Sequence, residues 1–543
     1  MAELNLEILV RPLGGGSLIR DYLAGDPALA PFFAGSPFDP DAYRRKTEEI
    51  RTRFDADRLD AMAGSVHALG EEARDKLTRI AAGDGFFVTT GQQPGLFGGP
   101  LYTVHKALSA IALARRLEAL LDLPVLALFW IASDDHDWPE ANHIHVLDPG
   151  NALHRLELDG AVEPARSMGL RSLGRGAETT LDKLTEILPP SEFTGRVLER
   201  LRAAYSDGTV ASAFRETLEA VFDGMALGLV DAQDPVVRRL GEGVIRRELE
   251  RGEEHEAALA AQTERVEAAG YPAQVPILPG ASNVFYEDER GRERLVRDDG
   301  AWLLRRSRRR LSAEELGSML KGAPERFSGN VVLRPVVESA VFPTLAYVGG
   351  PGEVSYLAQT GCLFAAHGVG MPLVYPRLSV TLVERKVRKV LEKFGLEVEA
   401  FGKPVQELVA EVVREEVPAE VEGAVERLRE SVEAGYEALF EAAREIDPTL
   451  KGPIFQARSE AFKGLAEVEK KIRQHIKTRG EMGLEQLEKA AANLAPLGKP
   501  QERVLNIHQY EARYGGGLAE AILERMDIRL DGTGSGWTGP ECG

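Results

Sequence analysis

Residues 124–132 read PVLALFWIA, a run without charge and without polar alternation that ends directly on SDDHD. A strand with one wet face alternates apolar and polar residues. A strand covered on both faces does not, and such strands belong to parallel sheets packed between helices. The run is about half the ~20 residues a membrane-crossing helix needs, so it is read as a buried strand. Upstream, FFVTT (86–90) leads into GQQPGLFGG (91–99) and then an apolar helical stretch from Pro100 to Leu120. Pro100 suits the first helical position, where its missing N–H would have no intrahelical partner. Strand, helix, strand makes a right-handed crossover unit. LGLVDA (227–232), VVLRP (331–335), TLAYV (344–348) and MPLVYP (371–376) repeat the buried-strand pattern. The expected architecture is an α/β, doubly wound parallel-sheet core with insertions near 140–225 and 270–330, preceded by one long amphipathic helix from about Ala56 to Ala82.

From about Ser379 the composition turns to Glu, Lys, Arg, Ala, Leu and Val, and helices are expected to take over. Val421, Val425, Leu428, Val432, Tyr436, Leu439 and Ala443 step by fours and threes. Phe462, Leu465, Val468, Ile472 and Ile476 do the same, and Leu484, Leu487, Ala491 and Leu494 resume the stripe after Gly480 and Gly483. These are coiled-coil seams. Asp447-Pro448 and Gly452-Pro453 separate the arms, so an antiparallel hairpin is predicted, each arm about 40 Å long at 1.5 Å per residue. A bare face on such a hairpin is most simply buried against a second copy, which predicts a homodimer. The divisions read as a core over 1–380, a helical antiparallel coiled-coil domain over 381–500, and a return segment with a flexible tail over 501–543.

Bulk properties exclude several classes. A net charge of -19 repels nucleic acid on average, and the basic run RRSRRR (305–310) reads as a solvated surface segment. Cys362 and Cys542 lie too far apart in a Gly-rich context to suggest a disulfide framework. The first residues, MAELNLEILVRPLGGG, place acids where an export signal needs bases. A cytoplasmic protein without membrane or nucleic-acid partners is expected.

Three turns carry the candidate chemistry. In GQQPGLFGG, glycines allow close backbone approach, and the helix start behind them offers N–H groups and a positive dipole end to a phosphate or carboxylate. Gly91, Gln92, Gln93, Gly98 and Gly99 are the candidate contacts, with a merely tight turn as the alternative. The loop matches neither a P-loop nor the GxGxxG fingerprint. His105 and Lys106 follow within the helix, where one could face the loop: His105 as a catalytic group, Lys106 as an anion contact. In the second turn, FWIASDDHDWPEANHIHV (129–146), ionisable groups crowd the end of a buried strand, the edge at which α/β folds bind ligands. Asp135 and His136 could form a hydrogen-bonded base, with Asn142 and His143 as substrate contacts. Alternatively His136, His143 and Asp135 could hold a divalent metal, making a metal-dependent hydrolase of the cluster at 134–145. No established zinc spacing supports that, and no metal is expected. In the third turn, LRPVVESAVFPTLAYVGGPGEVSYLAQ (333–359), Arg334 at a strand end would clamp a carboxylate, and Gly349, Gly350, Glu353 and Tyr356 surround a second glycine turn. A structural ion pair and a helix cap are the alternatives for Arg334 and Glu353.

TGQQPGLFGGPLYTVHK (90–106), FWIASDDHD with NH (129–143), RPVVESAVFPTLAYVGGPGE (334–353) and the closing ERVLNIHQY (502–510) resemble the distinctive stretches of the bacillithiol biosynthesis cysteine-adding enzyme (BshC) family. Glu338 stands where that pattern more often carries Gln. The resemblance implies a Rossmann-like core with connecting-peptide insertions and a coiled coil pairing two subunits. It also implies a carbon–nitrogen ligase that joins cysteine to the amine of glucosaminyl-malate. Activation of the carboxylate by ATP is the natural hypothesis, and an ADP pocket near the coiled coil is implied as well.

Overall fold

The computed structural model describes residues 5–158, 165–174, 176–408 and 419–537, with backbone alone at 419–422, 448 and 473–482. Cys542 lies outside the described residues, and the side chains of Val421 and Ile476 are likewise outside them. The chain divides into two compact units, Ile8–Leu382 with Glu502–Gly543, and Met1–Glu7 with Val383–Gln501.

The larger unit is built on a six-stranded sheet: β1 (His67–Leu69), β2 (Phe86–Gln92), β3 (Val125–Ile131), β4 (Leu227–Asp231), β5 (Thr344–Gly349) and β6 (Leu373–Pro376), in the order β6-β5-β2-β3-β4-β1. All neighbours are parallel except β1, which pairs antiparallel with β4 at the edge. Every residue of β3 and β5 is buried, which is why neither alternates. The crossover from β2 to β3 is helix α1 (Leu101–Leu121), buried continuously from Thr103 to Ala114. Helices α2 (Pro235–Glu250), α3 (Gly252–Ala268), α4 (Arg334–Val341) and α5 (Pro351–His367) complete the frame around the later strands.

Two elements differ from the sequence reading. The stretch 56–82 is not one helix: Ala56–Ala63 and Gly70–Ala81 are separated by β1, whose pairing with β4 outweighs helical periodicity, and Gly70 turns the chain at φ 75°. VVLRP is not a strand but the approach to α4. Asn330 Oδ1 accepts from the Val332 and Leu333 N–H groups (3.1 and 3.0 Å), and Pro335 sits in the first turn, where it favours helix initiation.

Residues 143–157 form an antiparallel hairpin (His143–Leu147 with Leu153–Glu157) followed by three helices with their own apolar cluster. Between 281 and 329 lies a five-stranded antiparallel sheet. RRSRRR falls on one of its hairpins, with Arg310 paired to Asp298 at 2.6 Å. The segment from Glu502 returns to the larger unit. Leu505 O accepts from Leu101 N (2.8 Å), and the Asn506 amide donates to the carbonyls of Phe97 (2.8 Å) and Gly99 (2.7 Å).

In the smaller unit, α6 (Ala419–Arg444) and α7 (Lys451–Leu494) are joined by a single turn at Pro448–Leu450 and run antiparallel. Arg429–Glu469 (2.9 Å), Arg458–Glu433 (2.7 Å) and the Phe440–Phe455 ring pair stitch the arms. The arms are unequal. The 26 residues of α6 span about 39 Å and the 44 of α7 about 66 Å, uninterrupted at Gly480 and Gly483. Val425, Val432, Tyr436 and Ala443 face inward, as do Phe462, Leu465 and Ile472, whereas Leu428, Leu439 and Val468 are exposed. The internal seam is thus narrower than the apolar stripe.

Candidate functional site

Along the chain the sheet is laid down outward from β2 through β3 to β4, then resumes on the other side of β2 with β5 and β6. That reversal leaves a crevice beyond the carboxyl ends of β2 and β5, where open α/β sheets take ligands. A cavity of about 650 Å³ opens there, within the larger unit. It is lined from the ends of four strands: Gly91 and Gln92 from β2, Ala132, Asp134, Asp135 and His136 after β3, Gly350 and Glu353 after β5, and Arg377 after β6. Arg292, Arg294 and Phe285 reach it from the antiparallel sheet, and Arg503 from the return segment.

Of the residues singled out from the sequence, Gly91, Gln92, Gln93, Lys106, Asp135, His136, Arg334, Gly350, Glu353 and Tyr356 line this cavity. His105, Gly98, Gly99, Asn142, His143 and Gly349 do not. His105 is fully buried and Nδ1 lies 3.0 Å from Glu502 Oε2, about 100° around α1 from Lys106. Gly98 and Gly99 turn away with positive φ and are clasped by Asn506. Two of the N–H groups at the start of α1 are already taken, since Leu101 donates to Leu505 O and Thr103 to Pro100 O. Asn142 pairs with Glu157 (2.8 Å), and His143 stands on the hairpin strand with its ring 5.3 Å from that of His145. Gly349 is buried as the last residue of β5.

Lys106 is nearly buried, and its ammonium donates to Gly91 O (2.7 Å), Gln92 Oε1 (3.0 Å) and Glu353 Oε2 (2.5 Å). All three donors are satisfied by the protein, so Lys106 organises the two glycine turns rather than presenting a free charge. Burial draws its pKa down. Burial alone would raise that of Glu353, but Lys106, the Tyr347 hydroxyl and Arg334 outweigh it and hold the carboxyl below its ordinary range. Glu353 also accepts from Gly350 N (2.8 Å), capping α5. Gly91 is required by packing: a Cβ there would lie 2.8 Å from Trp130 O.

Arg334, at the start of α4 and not at a strand end, donates to Tyr347 Oη (3.0 Å), Tyr356 Oη (2.9 Å) and Glu338 Oε2 (2.8 Å). Glu338 is buried, and burial raises its pKa despite Arg334. The ion-pair alternative therefore describes one edge of Arg334, while another part of the side chain still reaches the cavity.

The turn after β3 is wired differently from the expected Asp135–His136 pair. Asp135 Oδ1 accepts from Asp137 N (3.0 Å), so that oxygen serves the turn, and among the described residues Asp135 has no ion-pair partner. His136 Nδ1 lies 3.1 Å from Arg292 Nη1. A guanidinium only donates, so Nδ1 accepts, and a neutral ring carries its proton on Nε2. Burial first and Arg292 second depress the His136 pKa, favouring that neutral form. Arg292 is itself held by Ser328 Oγ (3.0 Å), Gly329 O (3.1 Å) and the Phe285 ring, 4.1 Å from its guanidinium carbon. Asp134 is paired with Arg238 (3.1 Å). Burial would raise its pKa, yet Arg238 and Arg292 together lower it.

The cavity is thus lined by six cations (Lys106, Arg292, Arg294, Arg334, Arg377, Arg503) and three acids (Asp134, Asp135, Glu353). Lys106, Arg334 and Arg377 are paired with Glu353, Glu338 and Glu502, which leaves Arg292, Arg294 and Arg503 to attract an anion in a chain whose overall charge is -19. Sequence reasoning missed Arg292, Arg294, Arg377 and Arg503. Arg377, directly after a parallel strand, obeys the same strand-end rule as the residues that were found. Arg292 and Arg294 share one face of a strand through their i, i+2 spacing, but nothing local points that face at the cleft. The hydrolase alternative loses its ligand set. Among the described residues, metal-ligating side chains gather in threes only at Glu248, His255 and His367, not at 134–145.

These features define the class: an α/β protein with an anion-attracting cleft at the switch point of its sheet, continued in the same chain by a long antiparallel helical hairpin. The N-terminal Rossmann-like domain of bacillithiol biosynthesis BshC matches residues 6–378, and the C-terminal coiled-coil domain of BshC matches residues 380–529. The chain belongs to the BshC family of bacillithiol biosynthesis. Relatives named as candidate cysteine ligases, BshC, include one from Salinibacter ruber, 33% identical over 95% of this chain and 94% of its own length. A relative from Chlorobaculum tepidum is 34% identical over 79% of each chain, and one from Bacillus licheniformis is 30% identical over 92% of this chain and 93% of its own. No helix among the described residues is long and apolar enough to cross a membrane.

Proposed function

We propose that this protein is a carbon–nitrogen ligase that joins the carboxylate of cysteine to the amine of glucosaminyl-malate. The observation that carries the reading is that Arg294 and Arg503, with no ion-pair partner among the described residues, line a cleft of about 650 Å³ beside Arg292 on an otherwise acidic chain. Malate brings two carboxylates and cysteine a third, and a low-dielectric cleft with this charge favours anions of that kind. Family membership and the names of the relatives point the same way.

In this reading Arg292, Arg294 and Arg503 take malate carboxylates, and the exposed edge of Arg334 positions the second substrate. Asp135, without an ion pair, takes the proton from the attacking ammonium as the C–N bond forms. His136 donates from Nε2 to the oxygen that gains charge. Lys106 and Glu353 hold the two glycine turns at the spacing the substrates need. Amide formation from a free carboxylate in water requires activation, and ATP is the co-substrate we propose to supply it. The cysteine carboxylate attacks a phosphorus of ATP with release of ADP or pyrophosphate, and the amine then displaces phosphate or AMP from the acyl carbon. The exposed Leu428, Leu439 and Val468 of the hairpin support a homodimer formed through that unit.

The test is to incubate the purified chain with cysteine, glucosaminyl-malate and each nucleotide in turn, following the thiol product by mass spectrometry, with calorimetric titration of glucosaminyl-malate in parallel. Product with ATP, lost in Asp135→Asn while glucosaminyl-malate still binds, is the expected result. Failure of glucosaminyl-malate to bind at millimolar concentration would overturn the assignment.

A further inference from the structure

Away from the cleft, three helices bring ligating side chains to one buried point. Glu248 lies in the last turn of α2, His255 in the first turn of α3, and His367 is the last residue of α5. Their relative exposures are 1%, 1% and 5%. Glu248 Oε2 is 2.6 Å from His255 Nδ1 and 3.1 Å from His367 Nε2, and the two imidazole centroids are 4.5 Å apart. The other carboxylate oxygen accepts from Asn283 Nδ2 at 2.8 Å, which fixes the plane of the carboxyl group. Arg247 and Arg294 also face the cluster electrostatically, but they donate to the carbonyl oxygens of His367 and Ser282.

One carboxylate oxygen, Glu248 Oε2, is the shared partner of both rings. His255 Nε2 and His367 Nδ1 are buried with no hydrogen-bond partner. Those two nitrogens point away from Glu248 and stay unpaired with or without an ion among the three side chains; the atoms that converge are Glu248 Oε2, His255 Nδ1 and His367 Nε2. Two histidines and one glutamate are a donor set that zinc accepts in tetrahedral geometry with water as the fourth ligand. With bonds of roughly 2.0–2.1 Å, ligand atoms in such a site stand about 3.3 Å apart. The two carboxylate–imidazole separations, 2.6 and 3.1 Å, need no more than a modest adjustment to reach that value, and all three ligand atoms lie within 4.8 Å of one another. A cavity of about 20 Å³, large enough for one water at roughly 10–15 Å³, borders Glu248 on its Asn283 side but touches neither histidine.

We propose that Glu248, His255 and His367 bind one divalent cation of the zinc class, which ties α2, α3 and α5 together. The site is structural and separate from the reacting groups. Its link to the cleft is α5, which carries Glu353 and Tyr356 in its first two turns and His367 at its far end.

The experiment uses the full-length protein, stripped with a chelator and titrated with cobalt(II), then zinc(II). One equivalent of cobalt should bind with the visible absorption of a tetrahedral ion, and zinc should displace it. His367→Gln should weaken zinc binding by roughly a hundredfold or more, since loss of a hydrogen bond that merely orients a ligand already costs about 10–100-fold. Asp135→Asn, in the cleft, should bind zinc as the wild type does. Should His367→Gln fail to fold, X-ray absorption on the wild-type zinc protein decides, with two imidazoles in the coordination shell expected. Substoichiometric binding by the wild type, unchanged affinity in His367→Gln, lost affinity in Asp135→Asn, or fewer than two imidazoles would each overturn the proposal.

Discussion

Replacing Glu502 by Gln removes the charge that compensates Arg377 inside the larger unit. Arg377 Nη1 and Nη2 reach Glu502 Oε2 and Oε1 at 2.8 and 2.6 Å, and His105 Nδ1 lies 3.0 Å from Oε2, with side-chain exposures of 2% for Arg377 and 7% for Glu502. Breaking a buried pair by deleting one partner costs about 3–5 kcal/mol, because the survivor is left charged in a poor dielectric. A neutral amide retains some hydrogen bonding to Arg377, so the lower half of that range is expected for Glu502→Gln. Trp130, Trp138, Trp302 and Trp537, the only tryptophans in the chain, all belong to the larger unit, so urea unfolding followed by tryptophan fluorescence isolates that unit. The pH dependence has a definite sign. Burial would raise the Glu502 pKa, but His105 and Arg377 outweigh it and hold the group far below the usual carboxylate range. Its folded pKa is depressed, so its contribution is complete above the unfolded value of about 4.3 and is lost as pH falls below that. The gap between wild type and Glu502→Gln should therefore be full at pH 7 and close in acid. Arg377→Met with Glu502→Leu removes both charges and should cost far less than the sum of the single changes. A loss below about 1 kcal/mol in Glu502→Gln, or additivity in the double variant to within ~0.5 kcal/mol, would refute the reasoning.

Three further outcomes are expected. Arg503 is exposed and, among the described residues, has no ion-pair partner, so Arg503→Ala should fold normally yet raise the KM for glucosaminyl-malate roughly tenfold or more, a charge-assisted hydrogen bond being worth about 1.5–3 kcal/mol. The His136 pKa lies below its usual 6.5, so ligation should decline only as pH drops beneath that value. In Arg292→Met the acid limb of the pH–rate profile should shift upward, and an unmoved limb would remove His136 from the chemistry. Paired Leu428→Glu and Leu439→Glu changes should convert the proposed dimer to monomer by light scattering, with the helical signal retained.

Legibility in the sequence followed locality. The runs at 86–90, 124–132 and 344–348 could be read as buried strands because full burial erases alternation, and the strand-end rule then drew Gly91, Gln92, His136 and Gly350 toward one crevice. Apolar runs without flanking context were ambiguous. VVLRP has the content of a strand, but a side-chain cap at Asn330 and a proline one residue past Arg334 make it a helix start. Adjacent positions on a helix differ by about 100°, so reading His105 and Lys106 as a pair could not tell which faced the cleft. The Asp135–His136 base was inferred from neighbours in sequence, whereas Arg292, 156 positions away, takes the imidazole. Long-range partners of that kind leave no periodic trace.

Glu502 and Arg503 are made only after the whole hairpin, although they complete a pocket begun some four hundred residues earlier at Gly91. During synthesis the nascent sheet must therefore wait, with Arg377 lacking its countercharge, while the ribosome produces both long helices. A polypeptide that stops short within those helices carries Arg377 with no buried counter-ion and a chamber without Arg503, so it should be markedly less stable than the full chain.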